Sequence, residues 1–388
     1  MERTSNVDFT LSLPRALSVP PTTPMPDARA LPDLRRVNPL PAGADALRAL
    51  GDSALAMTWR VLQPADRTPF LRADQPPLTR VRYRADDGWG ADLFHLPPIP
   101  GASAEPVVLA HGLGGSHRDF ALEAGRGLAQ ALRRAGFSVY LLEHRGDPCA
   151  VAPADSAGFT VDDIATRDVP AALDRVVEHS GYPRVLWVGH GLGAQVYCLA
   201  RALGDERRFA AVSLVAPAVR FSSPASTLRS AGLVAALLPR GWVLPTRRLQ
   251  QLLTPWVSAG ADVASPDTQA ALARGRLRHG SADVHAGVVR QVARWVAEGA
   301  LTDATGRLDV LTALRPALSQ VIIPSEDPAC PPGAAEPLAA ALGSEVVRLP
   351  AGWGHLDPLL GEHAGPEVHA RIVDFCNRAR RLAALPAG

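Results

Sequence analysis

Short apolar runs alternate with helix-like segments from about residue 78 onward, and this alternation constrains the fold more than any other feature of the chain. Runs such as PVVLAHG, FSVYLLEH and PRVLWVGHG are continuously apolar, and helical patterns such as LGAQVYCLARAL separate them. Continuous apolar strands of this kind are typical of a parallel sheet buried on both faces. We therefore predict an α/β fold in which helices cover both faces of a mostly parallel sheet.

The alternation is interrupted once, between about residues 222 and 317, where arginine-rich helical patterns appear and no strand is predicted. We expect a helical cap at 222–317, inserted into a core made of residues 78–221 and 318–388. The apolar residues of the cap either line a hydrophobic substrate channel or only pack the cap onto the sheet. They are Leu233, Leu237, Trp242, Leu252 and Trp256.

The N-terminal part has a different composition. Residues 1–43 are rich in proline and lack periodicity, so we predict a flexible segment, whereas residues 44–77 combine an amphipathic helix with a connector. Pro14 and Arg15 interrupt the first apolar stretch, so we expect no signal peptide and a cytoplasmic location. No apolar run reaches the length of about 18 residues that a transmembrane segment requires.

The composition excludes several kinds of chemistry. The 388 residues include 40 basic and 38 acidic side chains, and this balance does not favour nucleic acid as a partner. Every basic residue other than histidine is arginine, which excludes a lysine Schiff base and a Walker-type phosphate loop. The four cysteines form no CxxC pair, and the histidines form no HxH or HExxH pattern. We therefore expect no disulfide scaffold, no metal and no cofactor.

The segment WVGHGLGAQ lies where a predicted strand passes into a helix. At such a junction, G-x-S-x-G forms the nucleophile elbow, a sharp turn that lifts a serine above the sheet. Gly189 and Gly193 occupy the flanking positions, His190 is expected to pack under the turn, and Gly191 stands where serine belongs. A dinucleotide-binding motif is the weaker interpretation, because the glycines follow the fifth predicted strand rather than the first.

Three further motifs follow strand ends. HGLGG begins at His111, IIPSEDPACPP contains Asp327 beside Glu326, and GWGHLDPLLG contains His355. Asp327 is preferred to Glu326 as the acidic residue, because a residue before proline is extended and projects outward.

Together these motifs resemble the α/β-hydrolase superfamily, and the resemblance covers residues 78 to about 383. Within it, the chain is similar to acid lipases and polyhydroxyalkanoate-synthase-like proteins, because of DDIATRDVPAALDRV, VVRQVARWVAEGALTDATGRLDVLTAL and GHLDPLLGEHAGPEVHARIVDFC. The resemblance implies an esterase- or lipase-like protein that acts on a hydrophobic ester, thioester or lactone. It makes Gly191 the nucleophile position, Asp327 the acid and His355 the base.

The same resemblance assigns the oxyanion hole. The turn that contains His111 and Gly112 would supply the backbone N–H of Leu113, and the residue after the nucleophile position would supply the N–H of Leu192.

The missing hydroxyl leaves three hypotheses open. In the first, His355 and Asp327 act as a general-base pair on water or on a substrate proton, which allows hydrolysis, or lyase or isomerase chemistry, without an acyl-enzyme. In the second, the protein binds a small hydrophobic ligand without catalysis. In the third, Gly191 is an introduced substitution that inactivates a serine esterase or lipase.

Other reactive side chains have simpler structural interpretations. We expect Ser116 to cap a turn rather than to replace the nucleophile, and we expect the thiols of Cys149 and Cys330 to be unreactive. The remaining histidines of interest are expected at the surface or at an interface, namely His279, His285, His363 and His369. The sequence does not define the oligomeric state.

Overall fold

A computed structural model describes residues 78–121, 127–156, 158–204, 206–221, 241–244 and 282–384. The predicted N-terminal segments 1–43 and 44–77 lie outside the described residues. So do His279 and four apolar residues of the predicted cap, namely Leu233, Leu237, Leu252 and Trp256. The predicted domain boundaries remain a prediction.

Eight strands form one sheet, and two others pair in a small ribbon, within the described part of the chain. The strands are β1 Thr79–Arg84, β2 Gly90–Leu96, β3 Pro106–Ala110, β4 Ser138–Leu142, β5 Val185–His190, β6 Phe209–Val215, β7 Val243–Leu244, β8 Val284–His285, β9 Ser319–Ile323 and β10 Glu345–Arg348. The order in the large sheet is β1-β2-β4-β3-β5-β6-β9-β10. The pairs β1–β2 and β2–β4 are antiparallel and the others are parallel, which confirms the predicted mostly parallel sheet.

The antiparallel pair of β7 and β8 corrects one expectation. We expected residues 222–317 to contain no strand, but these two-residue strands pair within that range. Two residues are too few to produce the alternating or continuous apolar pattern by which a strand is recognised.

Helices flank the sheet within the described residues. They are α1 Leu128–Arg134, α2 Val161–Asp163, α3 Val169–Ser180, α4 Leu192–Leu203, α5 Ala286–Glu298, α6 Val310–Ala313, α7 Pro332–Leu342, α8 Asp357–Leu360 and α9 Ala370–Ala384. A π-turn at Ile164–Asp168 joins α2 to α3, and another at Gly365–His369 leads into α9. None of the described helices has the length and apolar character needed to cross a bilayer.

The side chains of the central strands divide between two apolar clusters, one for each face of the sheet. In β3, Val108 belongs to the cluster that includes residues of α3 and α4, whereas Val107 and Leu109 belong to the cluster that includes residues of α1 and α9. Successive side chains of a strand point to opposite faces, so this division shows that both faces are covered, as predicted.

The strand order also places the functional loops. The chain passes from β3 to β4 on one side and then returns to β5 on the other, so the loops after β3 and β5 leave adjacent parallel strands. Ligands of open α/β sheets bind at the carboxyl ends of strands at such a reversal. HGLGG follows β3 and the glycine-rich elbow follows β5, so both motifs lie at this point.

Candidate active site

The elbow between β5 and α4 has the backbone conformation of a nucleophile turn although it carries no side chain at its centre. Gly191 has φ 51° and ψ −114°, a conformation that residues other than glycine rarely adopt. A Cβ at Gly189 would lie 2.6 Å from the carbonyl oxygen of Gly193, and one at Gly193 would overlap the carbonyl oxygen of Ala110. Both flanking glycines are therefore required by the close packing of α4 against β5 and β3.

The imidazole of His355 faces the position of the missing side chain. A Cβ built on Gly191 would lie 3.0 Å from Nε2 of His355 and 3.3 Å from its Cε1. A serine here would require the ring to move back by a few tenths of an ångström. The nitrogen is thus directed at the space above Gly191.

Asp327 holds the other side of this ring. Its Oδ2 lies 2.7 Å from Nδ1 of His355, and its Oδ1 accepts hydrogen bonds from the backbone N–H groups of Ala329 at 2.8 Å and Cys330 at 2.9 Å. Burial alone would raise the pKa of the Asp327 carboxyl, but the hydrogen bond and charge of His355 and the two amides outweigh it and lower that pKa. Asp327 is therefore a fixed carboxylate that keeps the Nδ1 proton on His355 and leaves Nε2 to face Gly191.

Glu326 does not reach the ring. Its side chain is exposed, and Oε1 accepts a hydrogen bond from the N–H of Gly352 at 2.9 Å. The structure places Asp327, and not Glu326, beside His355.

His190 supports the histidine loop from below. Nε2 of the buried His190 donates a hydrogen bond to the backbone carbonyl of His355 at 2.9 Å, and the two ring centroids are 4.5 Å apart. The residue beside Gly191 in the elbow therefore positions the backbone that carries the imidazole.

The HGLGG turn closes the site from the side of β3. The Cα of Gly112 lies 3.7 Å from the Cβ position at Gly191, and the N–H of Gly115 donates to the carbonyl of Gly112 at 3.0 Å. Leu192 begins α4, and the first N–H groups of a helix have no acceptor within it. Leu113 follows Gly112 in the turn and is 37% exposed.

His111 anchors this turn by using both ring nitrogens. Nδ1 donates to the carbonyl of Gly112 at 2.9 Å, and Nε2 donates to Oδ2 of Asp147 at 3.1 Å. Burial would lower the pKa of His111, but the carboxylate of Asp147 overcomes this effect and raises the pKa to about 9. The ring is therefore an imidazolium that forms a buried ion pair.

Comparison with known proteins identifies the family of the chain. A family model described as "alpha/beta hydrolase fold" matches residues 105–362, a stretch that contains the HGLGG turn, the elbow, Asp327 and His355. The chain belongs to the α/β-hydrolase family.

Relatives of this α/β-hydrolase include human Lipase member K, which is 27% identical over 143 residues that cover 34% of the chain and 36% of the lipase. The chain therefore spans about a third of the length of this curated relative. A putative aryl esterase from Burkholderia cenocepacia superimposes with a TM-score of 0.53 at 16% identity. The alignment covers 78% of the present chain and 100% of the esterase chain. An esterase from Exiguobacterium antarcticum has a TM-score of 0.54 at 15% identity, and the alignment covers 76% of the present chain and 100% of the esterase. These structural likenesses concern the fold.

The structure also shows the surroundings of the other reactive side chains considered for this α/β-hydrolase. Ser116 accepts a hydrogen bond from the N–H of Arg118 at 3.3 Å and caps the short turn that follows it. Cys330 is buried, and this burial, together with the charge of Asp327, raises the pKa of its thiol well above the ordinary value. Cys149 is partly buried and contacts the guanidinium of Arg80 at 3.5 Å.

The histidines predicted at the surface divide into three cases. His363 is exposed, as expected. His369 is 1% exposed, so its expected position was wrong: it lies in the π-turn that leads into α9, next to the buried Val368. His285 is partly buried and borders a cavity.

Sequence reasoning missed the polar group beside the HGLGG turn. Asp147 and His144 lie in the loop after β4, and Oδ2 of Asp147 accepts the backbone N–H of His144 at 2.6 Å. The only sequence signal is the accumulation of charged residues in EHRGD directly after a buried strand.

Proposed function

We propose that this α/β-hydrolase hydrolyses a hydrophobic ester-, thioester- or lactone-like small molecule, with water in place of an enzyme nucleophile. The observation that carries the proposal is Nε2 of His355 directed at the space above Gly191 and backed by the carboxylate of Asp327. A histidine held in one tautomer by a buried carboxylate is the arrangement that general-base catalysis requires.

The proposed reaction is a single displacement. His355 accepts a proton at Nε2 while the water oxygen attacks the carbonyl carbon, and Asp327 stabilises the resulting imidazolium. The N–H groups of Leu113 and Leu192 hydrogen-bond the oxyanion. When the tetrahedral intermediate collapses, the bond to the alcohol or thiol breaks and the imidazolium returns the proton to the leaving group. No acyl-enzyme forms, because Gly191 offers no oxygen.

The substrate class rests on different support. The names of the sequence relatives include lipases, and those of the structural neighbours include esterases and an enol-lactonase. The partly exposed Leu113, beside the proposed oxyanion hole, offers an apolar contact for an acyl chain. We therefore favour a carboxylic ester, thioester or lactone over other carbonyl compounds.

Substitution of the base tests the proposal. Hydrolysis of p-nitrophenyl acetate, butyrate and octanoate is measured for the full chain, for His355→Ala and for the exposed control His363→Ala. Because one general base contributes about 10²–10⁴-fold, we expect kcat/KM to fall by about that factor in His355→Ala and to remain unchanged in the control. Equal activity of His355→Ala and the wild type contradicts the proposal.

Gly191 also favours a second candidate, a binding protein without turnover. Glycine relieves the backbone strain that any other residue suffers at φ 51°, which costs about 1–3 kcal/mol. A chain that no longer needs the nucleophile therefore gains stability from this glycine. A binding protein would show no turnover with any ester, and His355→Ala would leave its affinity for a non-hydrolysable ester analogue unchanged.

A further inference from the structure

We propose that His111, His144 and Asp147 form a site for a divalent transition-metal ion of the zinc class. The three residues come from the loops after β3 and β4, which are neighbouring parallel strands. Each offers one ligand atom, and these atoms all lie within 4.8 Å of one another. His111 and Asp147 are 36 positions apart, so no spacing motif in the sequence identifies the group.

The separations suit tetrahedral coordination. Nε2 of His111 lies 3.1 Å from Oδ2 of Asp147, and Nδ1 of His144 lies 3.4 Å from the same oxygen. Zinc binds histidine nitrogen and carboxylate oxygen at about 2.0–2.2 Å, so the ligand atoms of a tetrahedral site are about 3.3–3.6 Å apart. Two of the distances between ligand atoms are therefore within a few tenths of an ångström of the tetrahedral values before any metal binds.

Hydrogen bonds with backbone groups orient two of these ligands. Nδ1–H of His111 donates to the carbonyl of Gly112 at 2.9 Å, which directs Nε2 of that ring toward Asp147. Oδ2 of Asp147 is fixed by the backbone N–H of His144 at 2.6 Å. Hydrogen bonds from a ligating histidine to a backbone carbonyl, and to a ligating carboxylate, are typical of metal sites in proteins.

A small cavity borders two of the three residues, His144 and Asp147. Its volume is about 20 Å³, which is room for about one water molecule, and its lining includes His144, Asp147, Asp283 and His285. A water in this cavity can occupy an open coordination position.

His285 lines the same cavity and has a polar atom without a partner among the described residues. Its Nδ1 is buried and makes no hydrogen bond within the described part of the chain, although such atoms are nearly always satisfied. The ring reaches this place because Gly146 has no side chain, since a Cβ there would lie 2.6 Å from Cζ of Phe159 and 2.9 Å from Cδ2 of His285.

Metal binding competes with the hydrogen bonds of the metal-free network. The ion replaces the proton on Nε2 of His111, and this proton passes to solvent. Coordination through Nδ1 of His144 also replaces the hydrogen bond of that nitrogen to the carbonyl of Arg145, which is 3.0 Å away. The divalent ion compensates for these lost hydrogen bonds, because it places two positive charges beside the carboxylate of Asp147, where the His111 imidazolium placed one.

The test uses metal alone and the full chain. Protein dialysed against a chelator is titrated with Zn²⁺ by calorimetry and with Co²⁺ by absorption spectroscopy, in which tetrahedral Co²⁺ gives intense bands. We expect one ion per chain and intense Co²⁺ bands. We expect His144→Ala to weaken metal binding by at least about tenfold. Even the loss of a residue that only hydrogen-bonds to a metal ligand lowers metal affinity by about 10–100-fold. His144 is partly exposed, so its truncation should leave the fold intact.

Two controls separate this site from adventitious binding. His363→Ala removes an exposed histidine elsewhere, and Cys149→Ser removes the partly buried thiol, so both should bind one ion as the wild type does. Absence of stoichiometric binding, weak bands typical of octahedral Co²⁺, or equal affinity in His144→Ala overturns the proposal. The result does not depend on ester hydrolysis, so it can fail or succeed separately from the proposed function.

Discussion

Restoring the hydroxyl by Gly191→Ser examines the whole proposed site with one substitution. The elbow already has the backbone of a nucleophile turn, with φ 51° and ψ −114°, and Nε2 of His355 lies 3.0 Å from the new Cβ. After a small retreat of the ring, the serine oxygen would lie within hydrogen-bond distance of this nitrogen. We expect a serine triad to form with His355 and Asp327.

The expected changes in Tm and kcat follow from the backbone strain at position 191 and from the rate enhancement that a nucleophile provides. A residue other than glycine in this conformation costs about 1–3 kcal/mol, which corresponds to a fall in Tm of about 2–6 °C for a domain of this size. Removal of the nucleophile from a working triad costs up to about 10⁶ in kcat, part of which the oxyanion hole and binding retain. We therefore expect Gly191→Ser to raise kcat on p-nitrophenyl esters by at least about 10²-fold.

The assay separates chemistry from strain. Gly191→Ala introduces the same backbone strain and the same Cβ contact without an oxygen, so it should lower Tm equally and raise no activity. Gly191→Ser should release a burst of p-nitrophenol equal to the enzyme concentration, and a fluorophosphonate should label position 191. Adding His355→Ala to Gly191→Ser should abolish the gain.

A folded Gly191→Ser protein with neither burst nor labelling would refute the reasoning. It would mean that the N–H groups of Leu113 and Leu192, or the ring of His355, do not meet a substrate carbonyl at this elbow.

Three further predictions concern stability. In metal-free protein the pKa of His111 is raised from 6.5 to about 9, so the stabilisation from its ion pair with Asp147 is complete below pH 6.5 and disappears as the pH rises through about 9. The free energy of unfolding of chelator-treated protein should therefore fall over this range in the wild type and much less in His111→Gln. Arg145→Ala leaves a buried carboxylate without its partner and should destabilise the protein by about 3–5 kcal/mol in urea unfolding, whereas Arg175→Ala, in an exposed ion pair, should change stability by about 0–1 kcal/mol. Gly193→Ala should destabilise by about 3 kcal/mol or more, because its Cβ overlaps the backbone of β3, whereas Gly333→Ala, with open space around it, should be neutral or slightly stabilising.

The sequence predicts the strands and the elbow turn of the site well, because these elements depend on local sequence patterns. Apolar runs define the strands, and the glycines of the elbow mark a turn at the end of β5. The position of Asp327 directly before a proline also pointed to the acidic residue that the structure places beside His355.

The ion pairs could not be predicted in the same way. Arg145 donates to Asp168 at 2.8 Å and to Asp87 at 2.6 Å. Asp168 ends the π-turn before α3, whereas Asp87 lies between β1 and β2. Nothing in the local pattern around Arg145 selects them among the many charged residues of the chain. The pairing of His111 with Asp147 is likewise a result of which strands are neighbours.

The irregular helical turns could not be predicted from the sequence either. The helical segment from Val161 to Ser180 contains a π-turn at Ile164–Asp168 that its sequence does not indicate. A π-turn adds one residue to a helical turn and so changes which side chains face the sheet. The same irregularity accompanies the burial of His369, which helical periodicity alone did not indicate.

The hydrogen bond from His190 to the backbone of His355 joins two segments that are 165 positions apart. It acts as a mechanical linkage across the carboxyl edge of the sheet. We therefore expect a change at the elbow to alter the position of the loop that carries the imidazole as well.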